Sequence, residues 1–266
     1  MTATISPRLR RSTPGPLRVY RTHLLAYRRT WRGSLTTSFL FPMLYLAAIG
    51  VGLGKLVKAH GLVDGVSYID FLAPGLLAAT AMQIGANEST YPIMAGIKWL
   101  KTYGAMLATP LETTDVLYGT LLWIASRVAM ASALFLAVMA LFGTVHSFVA
   151  VLAFPAAVLT GAAFSAPVVA FSATRETDQS FVVLYRVVVV PLFLFSGTFY
   201  PVSQLPGALQ AVAVATPLFQ GVALTRALTL GHLGGWAMAG HAGYLVALVV
   251  AGVVAGRWSF RRRLVN

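Results

Sequence analysis

The sequence predicts an all-α integral membrane protein: six transmembrane helices, an N-terminal interfacial amphipathic helix, and an outward re-entrant segment between spans five and six. Three observations predict it. Of the 266 residues, 58% are hydrophobic and only 10% are charged, where a globular domain carries about 25% charge. The apolar residues gather in runs close to the roughly 20 residues that cross about 30 Å of hydrocarbon. The basic residues collect at alternate ends of those runs, as the sidedness of a multi-span protein requires. Mean hydropathy is +0.76, and spans and short loops use up the length, so no separate soluble domain is expected. The net charge of +13 would suggest nucleic acid in a soluble protein. Here it reads as the flanking charge of membrane spans, and no nucleic-acid partner is expected.

Residues 1–33 form a basic tail with eight arginines and no acid. Within it Leu17, Tyr20, Leu24, Tyr27 and Trp31 are spaced by 3, 4, 3 and 4 and share one face of a helix. Arg18, Arg21, Arg28 and Arg32 flank that face, the pattern of a helix lying in a membrane interface. A signal-peptide n-region is the bland alternative, but the following apolar run is too long for it.

The six-span domain covers residues 34–258. The first span is Leu35 to Leu53, followed by a short polar loop with Lys55, Lys58 and Asp64. The second is Tyr68 to Asn87, interrupted by Pro74-Gly75 and carrying Gln83, Asn87 and Glu88 towards its end. Polar groups there should face other helices rather than lipid. Ser89 to Asp115 is the longest polar connection and holds a short amphipathic piece, Ile97 to Leu107. Val116 to Phe142 is the third span, with Arg127 inside it, and Phe148 to Ala173 is the fourth. The turn Arg175-Glu176-Thr177-Asp178-Gln179 leads into the fifth, Phe181 to Tyr200, whose first half only Arg186 interrupts. That span breaks at Ser196-Gly197-Thr198 and then at Pro201 and Pro206. The segment from Gly207 to Thr229 is again apolar, which fits a re-entrant path better than an open aqueous loop. The sixth span, Trp236 to Trp258, is closed by Arg257 and by the basic tail 259–266.

Six spans place both termini on one side. That side holds fifteen Lys and Arg, counting the N-terminal tail, the loops after spans two and four, and the C-terminal end. The other side holds Lys55, Lys58 and Arg226. Both termini are therefore expected in the cytoplasm and the protein in the inner (plasma) membrane.

No catalytic constellation emerges. The five histidines are scattered without an i, i+4 pair, and there is no cysteine, which excludes disulfides and zinc–cysteine sites. Gly52-Leu53-Gly54-Lys55 resembles a phosphate loop but lacks its first glycine, Ile49 standing there, and its Ser/Thr, Leu56 standing there. The chain is thus expected to bind no metal or cofactor, and ATP with Mg would sit on a partner ATPase. The connection between spans two and three is where such a partner would dock. Its piece carries Trp99, Leu100, Tyr103 and Met106, with Lys98 and Lys101 beside them. These either enter a groove of a cytoplasmic partner or lie on lipid headgroups.

Three strings carry a family resemblance: FLAPGLLA (Phe71 to Ala78), LATPLETTDVLYG (Leu107 to Gly119) and PLFLFSGTFYPVSQLP (Pro191 to Pro206). Together they resemble the ABC-2-type transporter permeases, in particular the nodulation-factor (lipo-oligosaccharide) and daunorubicin-resistance-type exporters. The resemblance runs from about residue 17 to the C-terminus. It implies a six-span subunit without its own nucleotide site, which dimerises with a second copy or a paralogue and binds two separate ATP-binding-cassette ATPases. It implies an amphipathic helix at Leu17 to Arg32, a coupling helix around Ile97 to Leu111, and outward re-entrant hairpins at Gly197 to Leu230.

The expected function is outward movement of an amphipathic substrate: a drug, a lipid or a lipid-linked glycan. Lys98, Trp99, Leu100, Lys101, Tyr103 and Leu111 are the expected ATPase-coupling residues. Phe39, Tyr45, Gln83, Phe193 and Phe195 are the candidate pathway residues, although ordinary helix packing would explain each of them. Gly197, Pro201 and Pro206 should set the re-entrant turn, and Arg127 should pair with Glu88 or else snorkel to headgroups. Two other classes stay open on the residues alone. One is an ion-driven secondary transporter, which would need a midplane carboxylate, whereas all seven acids lie at span ends or in loops. The other is a membrane-embedded lipid-modifying enzyme, which would need a His, Asp or Ser cluster at one interface.

Overall fold

The computed structural model describes residues 13–29, 65–231 and 234–265, with Trp31, Gly33, Leu44, Val63 and residues 47–48. Most of the expected first span lies outside the described residues, with Phe39, Tyr45 and the Gly52–Lys55 string. Among the described residues every regular element is helical, and a single bridge pairs Val63 with Val66.

In chain order the helices are α1 (Gly15–Tyr27), α2 (Tyr68–Glu88), α3 (Tyr91–Met94), α4 (Thr102–Leu107), α5 (Thr113–Leu141), α6 (Ala153–Ala173), α7 (Gln179–Leu184), α8 (Val190–Phe195), α9 (Gly207–Val214), α10 (Pro217–Leu230) and α11 (Gly235–Leu264). A π-helical turn, Ala95–Trp99, extends α3, and another, Tyr185–Val189, joins α7 to α8. Among the described residues four stretches are long and apolar enough to cross a membrane: Tyr68–Trp99, Thr113–Leu141, Phe148–Ala173 and Gly235–Leu264. A fifth results if α9 and α10, bent by 78° at their junction, count as one broken span. The run Gln179–Phe195 is shorter.

The ends of these helices follow from local chemistry. Ser67 caps α2: its hydroxyl accepts from the Asp70 amide and donates to the Asp70 carboxylate at 2.8 Å. Glu112 and Asp115 form a reciprocal capping box at the start of α5. Pro217 occupies the first turn of α10, where its missing N–H costs nothing, and Thr216 caps it by accepting from the Phe219 amide.

The core is built on close approach of small residues, the way helices associate where lipid is as apolar as the side chains. A Cβ on Gly85 of α2 would lie 2.5 Å from the Gly161 carbonyl oxygen of α6. One on Gly252 of α11 would lie 2.5 Å from the Pro167 nitrogen. α2, α5 and α6 meet around Val128, Leu77 and Ala157, all buried.

α2 ends at Glu88, within one residue of the expected Asn87. After Ser89 and the non-helical Thr90 a second helical stretch, from Tyr91 to Trp99, carries the path on, with Ile93 and Met94 buried. One boundary differs from the sequence reading. The helical piece expected over Ile97 to Leu107 is broken at Lys101, whose φ of 51° is the one positive value outside glycine among the described residues. In α1 the expected face is divided. Val19, Tyr20, His23 and Tyr27 turn onto α5, around Trp123, while Leu17, Leu24 and Leu25 stay exposed beside Arg18, Arg21 and Arg28.

Candidate functional site

The two ends of α2 define two candidate regions. At the Glu88 end, the left-handed Lys101 forces a corner that holds Trp99 and Leu100 out of the bundle. Their exposures are 53% and 72%. Lys98 and Lys101 stand exposed beside them. The Lys98 ammonium donates to the Glu176 carbonyl oxygen at 2.7 Å and reaches its carboxylate at 3.5 Å. Arg263, in the last turn of α11, pairs with the same carboxylate. Glu176 therefore joins the α3 extension, the turn after α6 and the end of α11. These cations hold its carboxyl well below its ordinary value, at about 2, although it is 62% exposed.

Tyr103 does not belong to this exposed group. It is 2% exposed, its ring lies 6.0 Å from that of Phe260, and a Cβ on Gly96 would strike it. Burial pushes its phenol up to about 12. Its place in the expected face came from a helical spacing that the break at Lys101 destroys. Leu111 is half-buried against the same core.

Just inside this end, the Arg127 Nε donates to Glu88 Oε1 at 3.1 Å, and the guanidinium lies 4.5 Å over the Tyr27 ring of α1. The side chains are 11% and 23% exposed. Burial of His23 lowers its pKa, so the imidazole that stacks on Trp123 stays neutral at pH 7. Three elements, α1, α2 and α5, thus converge on Arg127. Near it, Tyr185 in the second π turn donates to Asn87 Oδ1 at 2.5 Å.

At the Tyr68 end the chain leaves α8 through Ser196 and turns at Gly197, whose φ of 77° suits glycine. The peptide at Thr198 packs on Gly75, where a Cβ would come within 3.0 Å of the Thr198 carbonyl oxygen. Tyr68 donates to the Phe199 carbonyl at 3.3 Å. Pro201 and Pro206 precede the short helical turn Val202–Gln204 and α9. Arg226 of α10 closes this region. Its Nε donates to the Phe71 carbonyl at 3.1 Å, its Nη2 donates to the Gly197 carbonyl at 2.8 Å, and it stacks 3.7 Å over the Phe71 ring. Beside it Thr225 donates to the Pro74 carbonyl at 3.0 Å. The bend between α9 and α10 is held by Tyr244 of α11, which donates to the Ala215 carbonyl at 2.7 Å.

The candidate pathway residues are not brought together. Phe193 packs edge-to-face on Phe199 at 5.0 Å, while Phe195 is 44% exposed. Two positions apart on a helix they point nearly opposite ways, so they do not line one path side by side. Gln83 is half-buried towards the Glu88 end of α2. Sequence reasoning missed the roles of Glu176 and Arg226. Glu176 reads only as part of a polar turn and Arg226 only as an outer-side charge, although Arg226 has no acid nearby in the sequence to pair with and stands in an apolar stretch, a signal that carbonyls would serve it. Among the described residues no three metal-ligating side chains converge.

The sequence profile of the ABC-2 type transporter family matches residues 18–230. The chain is 32% identical over 251 residues to nodulation protein J of Rhizobium leguminosarum bv. viciae, covering 94% of this chain and 95% of that one. It is 32% identical to nodulation protein J of Rhizobium meliloti over 250 residues, 92% of each chain. To its counterpart in Bradyrhizobium diazoefficiens it is 32% identical over 248 residues, 93% of each.

Proposed function

Since this chain belongs to the ABC-2 type transporter family, a family of membrane permeases, we propose that it is the membrane subunit of an ATP-driven exporter for an amphipathic substrate. In this reading residues 34–258 form one six-span domain between the basic tails 1–33 and 259–266. Two copies, or this chain and a paralogue, pair in the plasma membrane. Both termini and the Glu88 end of α2 face the cytoplasm, and the Gly197–Leu230 region re-enters from outside. α1 lies in the inner interface with its leucines in lipid and its arginines at phosphates. Two separate ATPase subunits bind ATP and Mg and dock at the corner formed by Lys98 to Lys101. The substrate is a drug, a lipid or a lipid-linked glycan.

The observation that carries this reading is the exposed Trp99–Leu100 corner at the tip of a 32-residue helical path. Large apolar side chains flanked by lysines, held out on a strained turn, fit a groove on a partner protein. The path from Trp99 to Tyr68 acts as a lever. A push on Trp99 moves Glu88, then Gly85 against Gly161, then the Tyr68 and Phe71 contacts with the Gly197–Tyr200 turn. Closure of the ATPases at one end would in this way reopen packing at the other.

The test is the double variant Trp99→Ala, Leu100→Ala. Both side chains are exposed, so abundance and thermal stability should stay near wild type. Co-purification of the partner ATPase should fall by tenfold or more, since loss of an anchoring aromatic costs about 2 kcal/mol or more. Retention of the ATPase with normal export would remove this corner from the docking role. Orientation is tested separately. Single cysteines from Ser203 to Leu230, placed in a chain that has none, should react with an impermeant thiol reagent from outside only. Labelling from the cytoplasm would overturn the sidedness.

A further inference from the structure

α6 and α11 pack closely at Gly252 and Pro167. Along their exposed seam runs an apolar groove of about 430 Å³, lined among others by Phe171, Leu248, Ala251, Ala255 and Trp258. It does not close at its end. Thr174 and Ser259 also line a second hollow of about 330 Å³, which reaches Arg262 and Arg263. Trp258 and Arg262 line a third, with Arg261. The three form one trough, greasy along the helices and basic at the mouth.

The register explains the trough. On α11, Leu248, Ala251, Ala255, Trp258 and Arg262 follow spacings of 3, 4, 3 and 4, so the arginine ends the same face that lines the groove. On α6 and its C-cap, Pro167, Ala170, Phe171 and Thr174 are spaced by 3, 1 and 3 and also share one face, and Arg175 follows at once. Arg175 lies 4.5 Å over the Phe171 ring, and Arg262 lies 5.3 Å from the Trp258 ring. Each helix therefore ends its groove face with an aromatic and then a guanidinium. The acid at this mouth, Glu176, is already occupied by Arg263 and Lys98. Arg175, Arg261 and Arg262 make no ion pair with any described residue. Among the described residues nothing covers the groove.

We propose that this trough binds an anionic glycerophospholipid, one acyl chain lying between α6 and α11 and the phosphate headgroup held by Arg175 and Arg262. An apolar slot whose aromatics Phe171 and Trp258 each carry a guanidinium is complementary to that ligand in both chemistry and order: tail, interfacial aromatic, phosphate. Trp258 stands at the end of the apolar run of α11, just before Arg261–Arg263, and tryptophan favours the boundary between hydrocarbon and headgroup. A basic pocket between spanning helices is a recurrent headgroup site, and arginine suits phosphate by its planar fork. The site requires only that these helices span a membrane. It does not depend on which substrate moves or on the ATPase.

The experiment is native mass spectrometry of the detergent-purified full chain supplied with phosphatidylglycerol or with phosphatidylcholine of the same chains. The wild type should retain one phosphatidylglycerol per chain in preference to phosphatidylcholine. Arg175→Gln with Arg262→Gln should weaken that retention roughly thirtyfold, from the attraction expected of two arginines at a lipid surface. Lysine at both positions should restore part of it. Ala255→Phe, an exposed groove position, should abolish retention with the arginines intact, while Val254→Phe, on the neighbouring exposed face, should not. Equal retention of the two lipids would overturn the proposal. So would phosphatidylglycerol binding that survives in both the arginine and the Ala255 variants. A change of oligomeric state in Ala255→Phe without a change in lipid retention would mark the groove as a contact between chains, and would overturn it as well.

Discussion

The two ends of α2 are held by different chemistry. At the Tyr68 end one arginine donates to two main-chain carbonyls and stacks on a ring, with threonine and tyrosine hydroxyls on further carbonyls. At the Glu88 end the outermost tie is a carboxylate in water between a lysine and an arginine. Donors to buried carbonyls are expensive to remove, because the carbonyl loses its partner and gains no water. Exposed ion pairs contribute little and exchange readily. The difference teaches that the fold is fixed at one end and negotiable at the other. In the proposed function, a lever that yields to a docking partner would need the second kind of joint where the partner acts. It would need the first kind where movement must be passed on without loss.

The largest expected effect is at Arg226. Arg226→Ala removes the charged donor from the Phe71 and Gly197 carbonyls, and the ring contact with it. Each charge-assisted bond is worth about 1.5–3 kcal/mol, so a loss of roughly 3–5 kcal/mol is expected, read as a large drop in midpoint on unfolding in detergent. Arg226→Lys should recover only part, since an ammonium is a point charge and cannot span two carbonyls as a fork does. If Arg226→Ala unfolds like wild type, the Tyr68 end is not the rigid one and the contrast fails.

Arg127 and Glu88 test the intermediate case, a pair near the negotiable end but mostly sheltered. Breaking a fully buried pair costs about 3–5 kcal/mol. With Glu88 still partly exposed, about 2–3 kcal/mol is expected for Arg127→Glu or Glu88→Arg alone. The double swap should restore part of both stability and export. Arg127 also touches Tyr27, so Arg127→Glu should loosen α1 as well, measured as faster hydrogen exchange over Gly15–Tyr27. A fully stable and active Arg127→Ala protein would assign the pair to the weak class with Glu176.

The sequence made the membrane helices legible because hydrocarbon imposes a length and a composition, and both survive in a single chain. α2, α5, α6 and α11 all fall where the apolar runs place them. The break at Ser196-Gly197 was legible for a similar reason: few residues other than glycine adopt the φ that Gly197 has. What the sequence hid is which charges meet. Glu176 is one of several acids in polar turns, and only the fold brings Lys98 and Arg263 to it from 78 and 87 residues away. Arg226 satisfies main-chain carbonyls, which every residue has and no pattern marks. Tyr103 was misread because a helical spacing was carried across Lys101, where the backbone turns left-handed. Phe193 and Phe195 were chosen by residue type, and type says nothing about the side of a helix.

The smallest effect is expected at Glu176, and its sign can be worked out. In the folded chain its carboxyl titrates at about 2, below its ordinary 4.5, chiefly because Arg263 donates to the ionised form. A depressed folded value means that the pairing stabilises the folded state above the ordinary value and is lost as pH falls from about 4.5 towards 2. At neutral pH Glu176→Gln removes that contribution. Water and salt already screen a carboxylate this exposed, so the midpoint of thermal unfolding should barely change. The gap between variant and wild type should shrink further as pH drops below 4.5, and added salt should shrink it at neutral pH. Function should respond more than stability does, because the variant unties the α3 extension from α11. ATPase turnover in the assembled complex should then persist while export per ATP falls. Equal export per ATP in the Gln variant would leave Glu176 as a surface contact. A fall in stability as large as that of Arg226→Ala would show that the Glu88 end is as firmly held as the other, and the contrast between a fixed and a negotiable joint would not stand.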